Sequence, residues 1–222
     1  MSGLYKLKEE NIEITNFWDT DNSKVVTESD VENTKRFDYR DWETYQDMRK
    51  SDSNPKVLNV LKGDQRDYFN EDSIKILSPT KDIIEEGNDK SKWNLISYVL
   101  LIEYAGHKII LGGDADKEVW DDLAESDEEY LKNISILKAS HHGRDSGYSQ
   151  KATSIMTPEW TICSVGKKPT QDSSNKYRHY TEKKVLSTRY RGNIVAEISS
   201  SGELNMYCED NYNEDDELYP LQ

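Results

Sequence analysis

The chain is short of several things, and each shortage excludes something. Only two cysteines, Cys163 and Cys208, occur in 222 residues, without CxxC spacing, so there is no disulfide framework, and the usage fits a reducing, cytoplasmic setting. No window approaches the roughly 20 apolar residues of a membrane span, and the opening MSGLYKLKEENIEI lacks the apolar core of a signal peptide. Positive charge is scarce: 29 Lys and Arg against 43 Asp and Glu give a formal charge of −14. Affinity for polyanions comes mainly from Lys and Arg neutralising phosphates, so nucleic acid and anionic membranes are disfavoured as partners. Histidine is scarcer still, with four in the chain, and two of them stand side by side in ILKASHHGRDSGYS as His141 and His142.

What is present is enough for one folded body. Five Trp and fourteen Tyr supply large apolar surface to a chain that is otherwise 32% charged. Part of the acid excess lies in CEDNYNEDDEL, Cys208 to Leu218, whose like charges repel and are expected to fray. The organisation read from this is a single domain over residues 1–208 and an acidic tail over 209–222.

Periodicity places the elements. Asn11 to Trp18 alternates as a strand with Ile12 and Ile14 on one face, and the stretch through Asp30 reads as loop. Trp42, Tyr45, Met48 and Arg49 recur at helical spacing after Asp38 to Asp41. Val57 to Leu61 and Ile74 to Leu77 are short strands, the second stopped by Ser78-Pro79. Leu95 to Tyr104 and His107 to Leu111 form a hairpin around Ala105-Gly106, and Val119, Trp120 and Leu123 mark a helix. Ile134 to Leu137 and Thr161 to Val165 are strands, Glu182 to Tyr190 suits a helix, and Ile194 to Ile198 pairs with Leu204 to Tyr207 through Ser201-Gly202. Strands and helices alternate, which predicts an α/β (α+β) layered domain.

Three strand ends carry polar residues of related chemistry. Asp114 follows KIILGG, His141 and His142 follow ISILKAS, and His179 lies in QDSSNKYRHY after TICSVG. Taken singly, a Gly-Gly-Asp is a turn, a histidine beside Arg178 and Tyr180 is surface, and a doublet is structural. Taken together, carboxylate and imidazole at rigid strand ends are the ligands with which a divalent ion is held to activate water. Lys167, Lys168, Lys176 and Arg178 form a modest basic loop able to meet a phosphate.

The run NLISYVLLIEYAGHKIILGGDAD, followed by ISILKASHHGRDSGYS, then SVG and YRHYT, resembles the second half of a metallo-β-lactamase-fold hydrolase. The nearest branch includes the hydrolase domain of ComEC-type competence proteins and phosphorylcholine esterases. The likeness covers roughly Trp93 to Ser200. It implies an αββα sandwich with Asp114 bridging two metal ions, His142 a ligand to one and His179 a ligand to the other. His141 would lie beside the metals as the catalytic residue that stabilises charge or protonates the leaving group, and Asn94 and Ser97 would line the site. The implied reaction is ester or phosphodiester hydrolysis of a small phosphate or ester substrate by a metal-bound hydroxide, with zinc, or else manganese, as the ion.

One departure stands out. Members of the fold carry an HxHxDH motif in their first half, and no histidine precedes His107 here. In this branch the motif continues as DH-M-S-G-L and a helix, which the opening Met1-Ser2-Gly3-Leu4 matches. The resemblance therefore implies an N-terminally truncated fold with part of a sheet uncovered, and few enough ligands that metal binding should be weak. The alternative expectation is a non-catalytic remnant or interaction module, completed by another chain or by a copy of itself.

Overall fold

The computed structural model describes residues 3–34, 38–166, 173–209 and 218–220. In chain order its elements are α1 (Leu4–Glu9), β1 (Asn16–Asp19), α2 (Glu28–Thr34), α3 (Tyr39–Arg49), β2 (Lys56–Asn59), α4 (Asp67–Glu71), β3 (Ile74–Ser78) and α5 (Lys81–Asp89). Then follow β4 (Val99–Tyr104), β5 (His107–Leu111), α6 (Lys117–Ser126), β6 (Ile136–Lys138), α7 (Gln150–Met156), β7 (Trp160–Cys163) and α8 (Ser174–Tyr177). The described chain closes with β8 (Lys184–Ser187), α9 (Thr188–Arg191), β9 (Ile194–Ile198), β10 (Leu204–Glu209) and β11 (Leu218–Pro220).

One mixed sheet organises the rest, in the order β3-β4-β5-β6-β7-β8. The first two pairings are antiparallel and the remaining three parallel. Because side chains alternate along a strand, each strand feeds two cores. Leu77, Val99, Leu101, Ile110, Leu137 and Cys163 meet Val119, Trp120 and Leu123 of α6 and Ala152 and Met156 of α7. On the opposite face Ile76 and Leu100 pack with Trp18, Leu58 and Phe69, under the parallel pair β1–β2. Further along that face Ile136, Trp160 and Leu186 pack with Ile194 and Met206 of the antiparallel ribbon β9–β10–β11. The architecture is thus mixed α/β: a helical layer, a six-stranded sheet, and two separate ribbons sharing the second face.

Several expectations are corrected. Glu182 to Tyr190 is not one helix: Lys184–Ser187 pairs in parallel with β7, and only from Thr188 does the chain turn helical, through Arg191. Val185 and Leu186 point into the cores on opposite faces, so burial on both sides removed the alternation that would have marked a strand. The expected loop before Asp30 contains the start of α2, closed by a reciprocal cap in which Thr27 N donates to Asp30 Oδ2 at 2.9 Å and Asp30 N to Thr27 Oγ1 at 3.3 Å. The expected first strand begins only at Asn16, with Ile12 exposed, and the hairpin strand begins at Val99 rather than Leu95. Cys208 and Glu209 belong to β10, where Cys208 is buried, and Leu218–Pro220 returns to pair with β10; residues 210–217 lie outside the described residues. Among the described residues no helix is long and apolar enough to cross a membrane.

The helix expected from Trp42 and Tyr45 is α3, capped by Asp38. It ties the first segment down through two buried carboxylates. Asp41 accepts from the amides of Gly3 and Tyr5 at 2.9 and 3.0 Å, satisfying the open end of α1. Asp19 of β1 accepts from Tyr45 Oη at 2.6 Å and pairs with Arg49 at 2.8 Å, while Tyr98 Oη donates to its backbone carbonyl at 3.0 Å.

Burial, together with the Asp19 carboxylate to which it donates, pushes the Tyr45 phenol up to about 12, against the opposing pull of Asn22. An unfolded tyrosine titrates near about 10, so the folded state holds this proton more tightly. The stability it contributes is complete below about pH 10 and is lost as pH rises through about 12. Melting temperature should therefore fall across that window, and Tyr45→Phe should make the fall shallower while costing about 2 kcal/mol near neutrality, the worth of a hydrogen bond to a charged group. Identical slopes in the two proteins would contradict this.

Candidate active site

The parallel strands β5, β6 and β7 end side by side, and the loops leaving them converge there, the place where α/β sheets build their sites. Gly112 to Asp116 leaves β5, Ser140 to Gly143 leaves β6, and Ser164 leaves β7.

Glycine is required in these loops by space. A Cβ on Gly112 would lie 2.8 Å from Ser140 Oγ and 2.9 Å from the Trp120 ring, and one on Gly113 would lie 2.7 Å from the Tyr98 carbonyl oxygen. With the loops in contact, Ser140 Oγ donates to the Gly112 carbonyl at 2.6 Å and the His141 amide to the Gly113 carbonyl at 3.0 Å. The result at the end of β6 is unusual backbone. His141 (φ 47°), His142 (φ 61°) and Gly143 (φ 82°) are successively left-handed. For the two histidines that conformation costs about 1–2 kcal/mol each, strain of the sort that surrounding contacts must hold in place.

The turn sends the two rings to different partners, with centroids 6.4 Å apart. His142 Nδ1 lies 3.1 Å from the Ser164 carbonyl oxygen. A carbonyl can only accept, so Nδ1 carries the proton and Nε2 presents its lone pair. That Nε2 is 3.6 Å from Asp114 Oδ1, and both side chains are about half exposed. The separation is too long for a hydrogen bond. It suits two ligands of one ion, since bonds of about 2.1 Å at a tetrahedral angle separate their ends by roughly 3.4 Å.

His141 turns the other way. Its Nδ1 is 2.6 Å from Ser146 Oγ, 3.4 Å from Asn94 Nδ2 and 3.9 Å from Asp116 Oδ1, and no partner meets its Nε2 among the described residues. Burial raises the Asp116 carboxyl above its usual range, opposed by a hydrogen bond from Asn94 and the nearness of His141. Lys138, at the end of β6, is partly buried with Nζ donating to the Ala139 carbonyl at 3.1 Å, and burial lowers its ammonium while Cys163 and Asp114 pull the other way. Asp116, Ser146 and Lys138 were missed as site residues. Asp116 was signalled by the Asp-Ala-Asp spacing after the glycines, whereas nothing local marks Ser146.

Asp114 with His142, and His141 with Asn94, are thus brought together. His179 is not brought into a cluster with them: it is exposed on the turn after α8, packed edge-on against Tyr180 at 4.7 Å. Among the described residues no group of three or more His, Cys, Asp and Glu forms. His107 is structural, with Nδ1 2.8 Å from Ser135 Oγ and Nε2 3.0 Å from the Gly202 carbonyl, pinning the β9–β10 turn to the sheet. Of the basic loop, Lys167 and Lys168 lie outside the described residues, and Lys176 pairs with Asp145, which also accepts from Ser173 Oγ at 2.8 Å. No family model matches the chain, and no curated protein is significantly similar to it.

The strained turn makes a prediction. A Cβ on Gly143 would meet Cys163 Sγ at 2.7 Å in backbone that already favours glycine, whereas among the described residues nothing lies within 4 Å of one on Gly166. Gly143→Ala should cost about 2–4 kcal/mol in urea unfolding and Gly166→Ala within about 0.5 kcal/mol. Equal costs would show that the turn is not held as described.

Proposed function

We propose that the chain is a metal-dependent hydrolase of the metallo-β-lactamase type, acting on a phosphodiester or other ester of a small molecule. The observation that carries this is the His142–Asp114 pair, an imidazole lone pair and a carboxylate oxygen 3.6 Å apart at the end of a sheet. A neutral imidazole and a carboxylate suit zinc, with manganese the next choice. A divalent ion held there supplies Lewis acidity that brings the pKa of water towards neutrality.

The chain's own residues do the rest. The Ser164 carbonyl fixes the His142 tautomer, the usual support for a ligating histidine. Lys138, whose Nζ donates to the Ala139 carbonyl at 3.1 Å two residues before the His141–His142 turn, supplies positive charge to meet an anionic ester. His141, held through Nδ1 by Ser146 and Asn94, keeps Nε2 for the leaving group, to which it gives a proton. Two protein ligands hold an ion only loosely, so it should exchange readily and be lost on dialysis.

The test is hydrolysis of a small phosphodiester by the purified chain with zinc or manganese added. Activity should need the metal, disappear in His142→Ala and fall by about 10²–10⁴-fold in His141→Ala. Metal-dependent activity retained in His142→Ala would remove the pair from the mechanism. A metal-free oligomer without activity would support the interaction module instead, completed by another chain or a copy.

A further inference from the structure

Beside the strand-end loops lies an open hollow of about 340 Å³, walled by Trp18, Trp42, Tyr45, Trp93 and Tyr98, with Lys24 also lining it. It is joined to the candidate active site by its own wall. Trp93 directly precedes Asn94, whose side chain reaches His141 at 3.4 Å. Ser97 and Tyr98 back onto Gly113, where a Cβ would lie 3.3 Å from Ser97 Cβ and 2.7 Å from the Tyr98 carbonyl oxygen, and Gly113 directly precedes Asp114.

Five aromatic rings around one hollow suit either a flat ring, which stacks, or a quaternary ammonium, which is drawn to ring faces. Charge decides between them. Among the described residues the only carboxylate lining the hollow, Asp19, is already engaged by Tyr45 Oη at 2.6 Å and Arg49 at 2.8 Å. Lys24 makes no ion pair among the described residues, so the charge left open is positive, which repels a cation and favours a ring next to negative charge.

We propose that this hollow is the specificity subsite of the hydrolase, and that it takes a flat aromatic or heteroaromatic ring carried by a phosphorylated substrate, a nucleobase being the type. The proposal rests on the hydrolase reading for the word substrate, but ring binding does not. The size falls within the range of small-molecule pockets, and stacking on aromatic walls tolerates any flat base.

The experiment uses the full chain, kept metal-free with chelator, titrated calorimetrically with adenosine 5′-monophosphate, ribose 5-phosphate and phosphocholine. Adenosine monophosphate should bind at least about tenfold more tightly than ribose 5-phosphate, and Trp93→Ala should abolish that preference. Lys24→Gln, a change on a partly exposed loop that leaves the core intact, should weaken adenosine monophosphate more than adenosine, which is titrated as a fourth ligand. Equal binding of the two phosphates, a preference for phosphocholine, or a Lys24→Gln protein that behaves as the parent would each overturn the proposal. A chain that binds the ring with metal removed but hydrolyses nothing when loaded loses the hydrolase reading alone. One that hydrolyses esters yet ignores the ring loses the subsite alone.

Discussion

Three consecutive left-handed residues, His141, His142 and Gly143, close the end of β6, and most of what the molecule offers chemically depends on holding that turn. Two adjacent side-chain-bearing residues do not adopt this backbone unaided. Here the contacts that enforce it come from three directions: the Gly112–Gly113 loop below, Cys163 of β7 at the side, and the Gly143 carbonyl, which accepts from the Ser173 amide at 2.8 Å. Because the turn reverses direction within two residues, neighbouring imidazoles face different partners. One is aimed at Asp114 and Ser164, the other at Ser146, Asn94 and Asp116.

The rest of the fold can be understood as support for those loops. The sheet brings β5, β6 and β7 into parallel register, so that their ends lie level. The helices α6 and α7 fill one face, and Trp120 of α6 reaches under Gly112. On the other face, the buried Asp19–Tyr45–Arg49 cluster and the bond from Tyr98 to Asp19 fasten β1 and α3 against the segment that carries Asn94, Ser97 and Tyr98. That segment is shared by the strand-end loops and by the aromatic hollow, so a change in one is expected to be felt in the other.

Legibility in the sequence followed how local each signal is. The Ala105-Gly106 hairpin, α3, and the strands β3, β5, β6 and β7 are written in short patterns of periodicity and turn residues, legible to within a few residues. The segment Lys184–Ser187 does not announce itself as a strand because burial on both faces removes its alternation, and α2 does not because its Thr27–Asp30 cap lies in a charged stretch without apolar periodicity. In the candidate site, Asp114, His141 and His142 stand out by residue type at strand ends. Their pairing does not, since it depends on a left-handed turn that no doublet of histidines announces. Asp116 and Ser146 join His141 only through that turn, and the hollow between Trp18, Trp42 and Trp93 unites residues far apart in the chain.

Everything proposed for the site depends on the turn presenting His142 Nε2, with its lone pair free, beside Asp114. Long-range proton–nitrogen NMR of histidine-labelled protein reads this directly, with His107 as an internal control, because its Nε2 faces the Gly202 carbonyl and must carry the proton there. Opposite tautomers are expected, Nδ1–H for His142 and Nε2–H for His107, with a shift of the His142 Nε2 signal on zinc titration that His107 does not share. An Nε2–H tautomer at His142, or a signal that zinc leaves in place, would contradict this.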